Sequence, residues 1–216
     1  MKLIVISSSS TNIENEPQLI TRLFEAGLPS FHLRKNKMST KKMKEYIKQI
    51  PKHFHDRIII HSHHNLMFSF NLRGIHLTSK HKRSKLKTLL TIRLIQLKKP
   101  SLEVTTSFKT LGELYETKHQ YDYDYVFLSP VFENDTSKFQ SGFSEYGLKL
   151  AIEKTNWDVI ARGGINIESI EKANNIGFRG VAFYSFLWSS EDPISSFQKI
   201  IDRFNELNIT FRKFSR

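Results

Sequence analysis

Residues 158–184 read DVIARGGINIESIEKANNIGFRGVAFY, and this stretch predicts a complete strand–helix–strand unit. Residues 158–162 and 180–184 are short runs rich in β-branched and aromatic side chains, as buried strands are. Residues 166–177 between them carry helix signals, with Asn166 as a cap, acidic residues in the first turn and Gly177 at the end. Because a helical crossover returns the chain to begin a second strand in the same direction, the unit predicts parallel strands.

The same alternation of short apolar runs and helical stretches recurs along the whole chain. Six further strand candidates precede this unit, at residues 3–7, 30–34, 58–61, 74–77, 103–106 and 123–129. Eight such units predict an α/β fold, the (β/α)8 TIM barrel. The alternative is an open doubly wound sheet, but SSSSTN at residues 7–12 stands where a dinucleotide-binding sheet has its Gly-x-Gly-x-x-Gly turn.

Two units are less regular than the others, and the chain shows no joint between domains. Residues 65–71 are few for a helix, and residues 80–90 are strongly charged. No low-complexity or Pro/Gly-rich linker interrupts the sequence, so we expect one domain over residues 1–216. The amphipathic stretch 194–208 predicts a final helix, which we expect to pack against the first strand.

Composition restricts the class of protein. The 216 residues are 39% hydrophobic and include 17 Phe, which suits a chain with a buried core. The absence of cysteine excludes disulfides, thiolate metal sites and a cysteine nucleophile, and it fits a cytoplasmic location. The apolar run near the N-terminus is too short for a signal peptide or a membrane span.

The chain is strongly basic, with 33 Lys and Arg against 21 Asp and Glu and a net charge of +12. Much of the excess lies in residues 35–48 and 80–99, which are also helical candidates, so we interpret it as a solvated basic face. No nucleic-acid-binding module is recognisable, and steep salt-dependent retention of DNA would be needed to revive that alternative. We expect no nucleic acid and no membrane as a partner, and the sequence leaves a homo-oligomer open.

In a barrel of this type the site lies at the carboxyl ends of the strands. Polar residues and glycines at those ends are Arg34, His61, His63, His76, Thr105, Ser107, Ser129, Gly163, Gly164, Tyr184 and Ser185. Gly163 and Gly164, placed between a strand and a capped helix, predict a phosphate-binding turn of backbone amides. The alternative is a tight turn that needs glycine for its backbone angles alone.

Five ordered blocks carry a resemblance to a known family. They are GLPSFHLR at 27–34, GIHL at 74–77, VFLSPVF at 126–132, ARGGIN at 161–166 and GVAFYS at 180–185. In order and spacing they resemble the thiamine phosphate synthase and thiazole tautomerase family, over about residues 27–193. The resemblance implies an α/β barrel that joins a pyrimidine methyl diphosphate to a thiazole phosphate, with Mg²⁺ helping diphosphate to leave. The sister activity is tautomerisation of a thiazole carboxylate phosphate.

The resemblance also implies roles for individual residues. Arg34 would bind diphosphate, Lys138 would neutralise the leaving group, and Gly163, Gly164 and Ser185 would hold the thiazole phosphate. We therefore predict small phosphorylated thiamine precursors as the partners of this site. The predicted catalytic residues are Arg34, His61 and Lys138. The predicted phosphate- and substrate-binding residues are His32, Thr105, Ser107, Ser129, Gly163, Gly164, Tyr184 and Ser185.

The chain departs from the family pattern on the diphosphate and metal side. His61-Ser62 replaces an Asn-Asp pair, and Lys80 occupies the position of a magnesium-binding Asp, so the expected Mg²⁺ ligands are missing and we predict no metal ligand. We expect Lys80 or Lys138 to contact the diphosphate instead. A zinc site at His32, His61 and His63 is an alternative that lacks a carboxylate.

Three further positions differ from the family. His32 replaces a Gln, Ser107 replaces a His, and Pro130 replaces the catalytic His of the tautomerase. Three functions remain open: a divergent synthase, which we favour, a tautomerase-like isomerase, and a non-catalytic barrel that binds thiazole or thiamine phosphate.

Some titratable residues have a simpler structural interpretation. His64 and His81 are expected to be loop histidines with structural hydrogen bonds. Asp122 and Asp124 precede the sixth strand, which places them at the opposite, structural end of the barrel.

Overall fold

Eight parallel strands close into a ring in the computed structural model, which describes residues 1–8, 15–115, 121–132 and 143–211. The strands are β1 (Lys2–Ile6), β2 (Ser30–Leu33), β3 (Ile58–Ile60), β4 (Gly74–Leu77), β5 (Glu103–Phe108), β6 (Tyr125–Leu128), β7 (Val159–Arg162) and β8 (Gly180–Phe183). They are ordered β1 to β8 around the ring, and β8 pairs with β1 through Leu3 and Val181. The predicted (β/α)8 barrel is confirmed.

The strands alternate between an interior face and a face covered by helices. Ile4, Ile59, Phe127 and Ile160 belong to a small buried cluster that fills the barrel, and Tyr125 lies deep within it. Their sequence neighbours belong to the larger core between the sheet and the helices. Successive side chains of a strand point to opposite faces of the sheet, so a residue two positions after an interior residue also faces the interior.

The helices surround the ring, as the crossovers require. They are α1 (Glu16–Glu25), α2 (Thr40–Lys48), α3 (Ser79–Arg83), α4 (Lys85–Lys98), α5 (Gly112–Tyr115), α6 (Glu145–Lys154), α7 (Ser169–Ile176), α8 (Ser185–Trp188) and α9 (Pro193–Glu206). The two irregular units differ from the others. A 3-10 turn at His64–Phe68 follows β3, and the charged stretch after β4 forms two successive helices, α3 and α4.

The helix between β7 and β8 begins later than Asn166 predicted. The Asn166 amide donates to Ser169 Oγ, and the Ser169 amide donates to Asn166 Oδ1, each at 2.9 Å. This reciprocal pair closes a turn, and α7 starts only at Ser169. Gly177 ends the helix with a φ of 105°, as predicted. Residues 163–165 are therefore separated from the helix N-terminus by one turn.

The two ends of the described chain meet below the ring. The Met1 ammonium donates to the Thr210 carbonyl oxygen at 2.7 Å, and α9 packs against α1 and α8. At the opposite, carboxyl end of β1, Trp188 of α8 donates its indole N–H to the Ile6 carbonyl at 2.6 Å. Asp124 Oδ2 accepts from the Val104 amide at 2.7 Å, where β5 begins, so this carboxylate has a structural role.

Within the described ranges, the structure contains no helix that is both long and apolar enough to cross a bilayer.

Candidate active site

Three histidines from neighbouring strands meet in the upper barrel. His32 and His76 lie on β2 and β4, and His61 directly follows β3. All three are almost completely buried. His32 Nδ1 and His61 Nε2 are hydrogen bonded at 3.0 Å, while the rings of His61 and His76 stack with centroids 4.0 Å apart. We call this group the histidine cluster.

Hydrogen bonds from β5 and β6 hold the histidine cluster in place. His32 Nε2 is 2.6 Å from the Tyr125 hydroxyl. His76 Nδ1 is 2.9 Å from Thr105 Oγ1, and its Nε2 is 3.2 Å from Ser107 Oγ. Every ring nitrogen of His32 and His76 thus has a partner. Among the described residues His61 Nδ1 has none, so this atom can bind a ligand.

The histidine cluster is uncharged at neutral pH. Burial, followed by repulsion from Arg162, lowers the pKa of His32 to about 3. Burial and the neighbouring histidines hold the pKa of His61 well below its usual range, and burial does the same for His76. Burial also raises the pKa of Tyr125 well above 10, so its hydroxyl keeps its proton.

Neutral imidazoles leave two tautomer sets for these hydrogen bonds, and the direction of the Tyr125 hydroxyl selects between them. With Tyr125 O–H donating to His32 Nε2, His32 carries its proton on Nδ1 and donates to His61 Nε2. His61 then carries its own proton on Nδ1. The consequence is a neutral imidazole that presents an N–H donor at its unpaired position.

His63 does not join the cluster, although strand alternation placed it beside His61. Its backbone is left-handed, with a φ of 56°, because the chain turns there into the 3-10 turn. The imidazole is hydrogen bonded to Thr40 Oγ1 and the Met38 carbonyl, each at 2.8 Å. The predicted grouping of His32, His61 and His63 is therefore wrong, and His76 takes the place of His63.

The ligating nitrogens of His32, His61 and His76 lie within 4.8 Å of one another, as a metal site requires. However, the His61 and His76 rings are only 19° from parallel, so their lone pairs run side by side and do not converge on one point. A tetrahedral zinc ion needs converging lone pairs. We therefore interpret the group as a hydrogen-bonded neutral cluster.

Arg162 at the end of β7 is a site residue that the sequence reasoning missed. Ile160 faces the barrel interior, so Arg162, two positions further along β7, also faces inward. Its neighbour on the adjacent strand β8 is Ala182. Burial, followed by repulsion from Arg34, lowers the pKa of Arg162 to about 10. In the described part of the chain, neither arginine has a carboxylate within 4.0 Å. The sequence signal that could have identified Arg162 is a cationic residue at a strand position that faces the barrel interior.

The glycine turn after β7 lies beside these arginines. Gly163 and Gly164 have φ values of 86° and 68°, a left-handed backbone that glycine adopts without strain. A Cβ on Gly163 would lie 2.9 Å from Pro130 Cα and 3.3 Å from Ser129 Oγ. Within the described residues, the amides of Gly164 and Ile165 donate no hydrogen bond. These amides can bind an anion without help from the helix N-terminus.

The remaining predicted site residues fall into different layers. Ser107, Tyr184 and Ser185 lie at the upper end of β5 and β8. Thr105 is fully buried below them, where it supports His76. Lys138 lies outside the described residues.

The other loop residues named from the sequence lie to one side. Lys80 is exposed on α3 and borders a surface pocket with His64 and His81. The rings of His64 and His81 are 4.3 Å apart, and His81 Nδ1 accepts from the Thr78 amide at 3.1 Å.

In the described part of the chain, two arginines without a carboxylate partner and a left-handed glycine turn lie at the carboxyl end of a closed parallel barrel, which is where (β/α)8 proteins frequently have a phosphate site. The sequence profile of the TMP-TENI family, described as thiamine monophosphate synthase, matches residues 3–187. The chain belongs to this family, and it is a divergent thiamine biosynthesis enzyme of the transferase type.

Individual relatives agree with this assignment. The thiamine-phosphate synthase of Pyrococcus abyssi is 24% identical over 195 residues, covering 89% of both chains. The crystal structure of thiamine phosphate pyrophosphorylase from Bacteroides thetaiotaomicron matches with a TM-score of 0.74 at 28% identity, over 95% of this chain and 98% of that one. The thiamine phosphate pyrophosphorylase of Pyrococcus furiosus shares the fold, with a TM-score of 0.72 at 19% identity over 95% and 96% of the two chains.

Members of this family generally depend on Mg²⁺, so the rim residues should include ligands for this ion if it binds here. Mg²⁺ takes oxygen ligands, carboxylates above all. The two residues that follow each strand include imidazole, guanidinium, ammonium and hydroxyl groups but no carboxylate. Among the described residues, the buried carboxylate that follows the carboxyl end of β1 most closely in sequence is Glu16. Its Oε2 lies 2.5 Å from Lys35 Nζ, so its charge is already balanced. The described residues therefore do not fit a resident Mg²⁺ site.

Proposed function

We propose that residues 1–216 act as one domain, a divergent thiamine phosphate synthase that joins a pyrimidine methyl diphosphate to a thiazole phosphate. The observation that carries the proposal is a pair of arginines at the rim that also holds the amides of the glycine turn. Arg162 faces inward, and so does Arg34, because it lies two positions after the interior residue His32. Both substrates are phosphorylated, and this rim offers two separate sets of anion-binding groups.

The two sets divide the substrates between them. The amides of Gly164 and Ile165, with Ser129 and Ser185 nearby, suit the terminal phosphate of the thiazole. Arg34 and Arg162 suit the diphosphate, because two guanidiniums can each donate two hydrogen bonds to its oxygens. Lys138 is assigned to the same leaving group by family resemblance alone.

The proposed reaction breaks one bond and forms one. The bond between the pyrimidine methylene carbon and the diphosphate oxygen breaks with its electron pair passing to diphosphate, which leaves a pyrimidine carbocation. The thiazole nitrogen donates its lone pair to that carbon, and the new C–N bond completes thiamine phosphate. Arg34 and Arg162 stabilise the negative charge that develops on the leaving oxygen.

His61 contributes as a neutral donor. Its Nδ1–H can bond a phosphate oxygen without adding charge when the Tyr125 hydroxyl donates to His32 and His32 donates to His61. His32 is thus a positioning residue, since both of its nitrogens are engaged inside the barrel. This arrangement supports donation by His61 over a wide range of pH.

Incubation with the two precursors tests the proposal, with thiamine phosphate measured by chromatography. We expect product from the native chain and a loss of about 10²-fold in kcat/KM for Arg34→Gln. Arg22→Gln, on the exposed surface of α1, is the control and should keep full activity. If the native chain forms no product either with Mg²⁺ or with a chelator, the synthase assignment is wrong.

A second candidate is tautomerisation of a thiazole carboxylate phosphate. The neutral His61 beside two guanidiniums favours it, because such a substrate carries both a carboxylate and a phosphate and its isomerisation moves a proton. Pro130 at the position of the tautomerase histidine counts against it. Isomerisation in the presence of a chelator, followed by proton NMR, would support this candidate. Binding of both phosphates without any turnover would indicate a non-catalytic barrel.

A further inference from the structure

A row of exposed leucines runs along α4, away from the proposed active site. Leu86, Leu90, Leu94 and Leu97 are 79%, 64%, 55% and 81% exposed. Their spacing of four, four and three residues places them on one side of the helix. The buried residues of α4, Thr88, Ile92 and Ile95, lie on the opposite side. The helix is therefore apolar on two faces, only one of which serves the barrel.

Basic side chains border this row. Lys87 and Lys98 flank the leucines on one side and Arg93 on the other, as the helical positions require. Residues 79–99 contain eight Lys and Arg and no Asp or Glu. We name the four leucines with these three cations the basic leucine surface.

The basic leucine surface does not fit the solvated basic face that the sequence predicted. A solvated helix face carries polar side chains, and a monomeric protein seldom leaves four neighbouring leucines in water. Phe68, in the turn before β4, is 42% exposed and lies under Lys98, which extends the apolar area beyond α4. An apolar surface of this kind indicates a binding partner.

The charges argue against a second copy as that partner. Two α4 helices packed along their leucines would place Lys87, Arg93 and Lys98 of one copy near the same cations of the other. Residues 79–99 contain no acidic side chain that could balance them. Like charges across an interface oppose association.

The composition also distinguishes a protein partner from a lipid surface. Protein interfaces are depleted in lysine, and leucine is under-represented among the residues that dominate their binding energy. Leucine flanked by lysine and arginine is the composition of helices that lie in the interface of an anionic bilayer. The row is also convex, since the leucines project from a single helix with more than half of each side chain exposed.

We infer that the basic leucine surface binds anionic phospholipid bilayers peripherally, with the leucines among the acyl chains and the cations at the headgroups. This differs from the absence of a membrane partner expected from the sequence. The helix lies in the plane of the bilayer and does not cross it. Attraction to anionic headgroups brings the protein to the surface, and leucine burial retains it there.

Sedimentation of the full chain with vesicles tests the inference. We compare phosphatidylcholine vesicles with vesicles that also contain phosphatidylglycerol, at low and at high salt. Binding is expected to the anionic vesicles at low salt and to weaken as salt is raised. The double change Leu90→Gln and Leu97→Gln keeps the net charge and should lower the partition coefficient about tenfold or more.

A matched control removes an exposed apolar side chain elsewhere. Tyr146 on α6 is 76% exposed, and Tyr146→Gln should bind vesicles as the native chain does. The added tryptophan of Leu90→Trp should shift its emission to the blue on binding, while that of Tyr146→Trp should not. These readouts do not depend on enzymatic activity, so their outcome is independent of whether the proposed synthase function is correct.

Three results would overturn the inference. The first is no binding to anionic vesicles at low salt, and the second is binding that the leucine changes leave intact. The third is a dimer, seen by light scattering, that the leucine changes dissociate while vesicles bind neither form. That last result would assign the surface to a second copy of the chain.

Discussion

Replacing Arg162 by methionine should stabilise the unliganded protein and weaken its binding of pyrophosphate. Burial and Arg34 lower the pKa of Arg162 from 12.5 to about 10, so the folded state disfavours the charged form. A group with a depressed basic pKa destabilises the fold at every pH below that pKa, and the penalty is relieved only as pH rises through 10 to 12.5. At neutral pH the whole penalty is present.

The magnitude follows from the size of the shift. Each pKa unit corresponds to about 1.4 kcal/mol, so the lowered pKa represents about 3 kcal/mol at most. Because Arg162 is partly exposed, solvent screening reduces this, and we expect Arg162→Met to raise the free energy of unfolding by about 1–3 kcal/mol. The loss of charged hydrogen bonds to a bound anion, each worth about 1.5–3 kcal/mol, should weaken pyrophosphate binding about 10–100-fold.

Urea unfolding at pH 7, with and without pyrophosphate and in the presence of a chelator, measures both effects. The native chain should gain stability from pyrophosphate, whereas Arg162→Met should start higher and gain little. Arg22→Met, at an exposed position, controls for loss of a charge alone and should behave like the native chain. The reasoning is refuted if Arg162→Met lowers stability and keeps the pyrophosphate response.

Three further predictions concern stability. The four buried histidines with lowered pKa, including His64 at about 3, bind protons only when the chain unfolds, so stability should fall by about 4–5 kcal/mol between pH 7 and about pH 5.5; a flat profile in urea unfolding would contradict this. Lys35→Met should cost about 3–5 kcal/mol because it leaves Glu16 buried without its cation, and Glu16→Gln in the same chain should restore part of it; equal stability of the single and double variants would speak against the buried pair. Gly163→Ala should lose thiazole phosphate binding in calorimetry and about 1–3 kcal/mol of stability, because its backbone is left-handed and the new Cβ would contact Pro130. Gly112→Ala should change neither, since its Cβ would meet only Thr110 Oγ1, at 3.8 Å.

The strand pattern of this protein is a local property, which is why the sequence predicts it well. Each run of β-branched residues agrees with the strand observed there to within about two residues, as at residues 74–77 and Gly74–Leu77. The helix start near Asn166 was less accurate, because an asparagine can cap a turn as well as a helix. Only the hydrogen bonds to Ser169 show which of the two it does.

The sequence predicted where the candidate site lies, but it did not predict which side chains contact one another there. Strand ends converge in any barrel, so the sequence indicated that Arg34, His61 and Gly163 share one rim. It did not indicate that His63 turns away through a left-handed backbone while His76 stacks on His61. That choice depends on the path of a short turn, which periodicity does not specify.

By itself, the sequence determined the eight strands, their closure into a barrel and the family, because alternation and ordered motifs are written into neighbouring residues. Tertiary structure alone decided which charges of the described residues have no ion-pair partner among them, since pairing depends on residues far apart in the chain. It placed Arg162 beside Arg34, neutralised three histidines by burial and left four leucines of α4 in water. Each of these outcomes depends on which side chains are buried when the chain folds, and burial of this kind cannot be read from neighbouring residues alone.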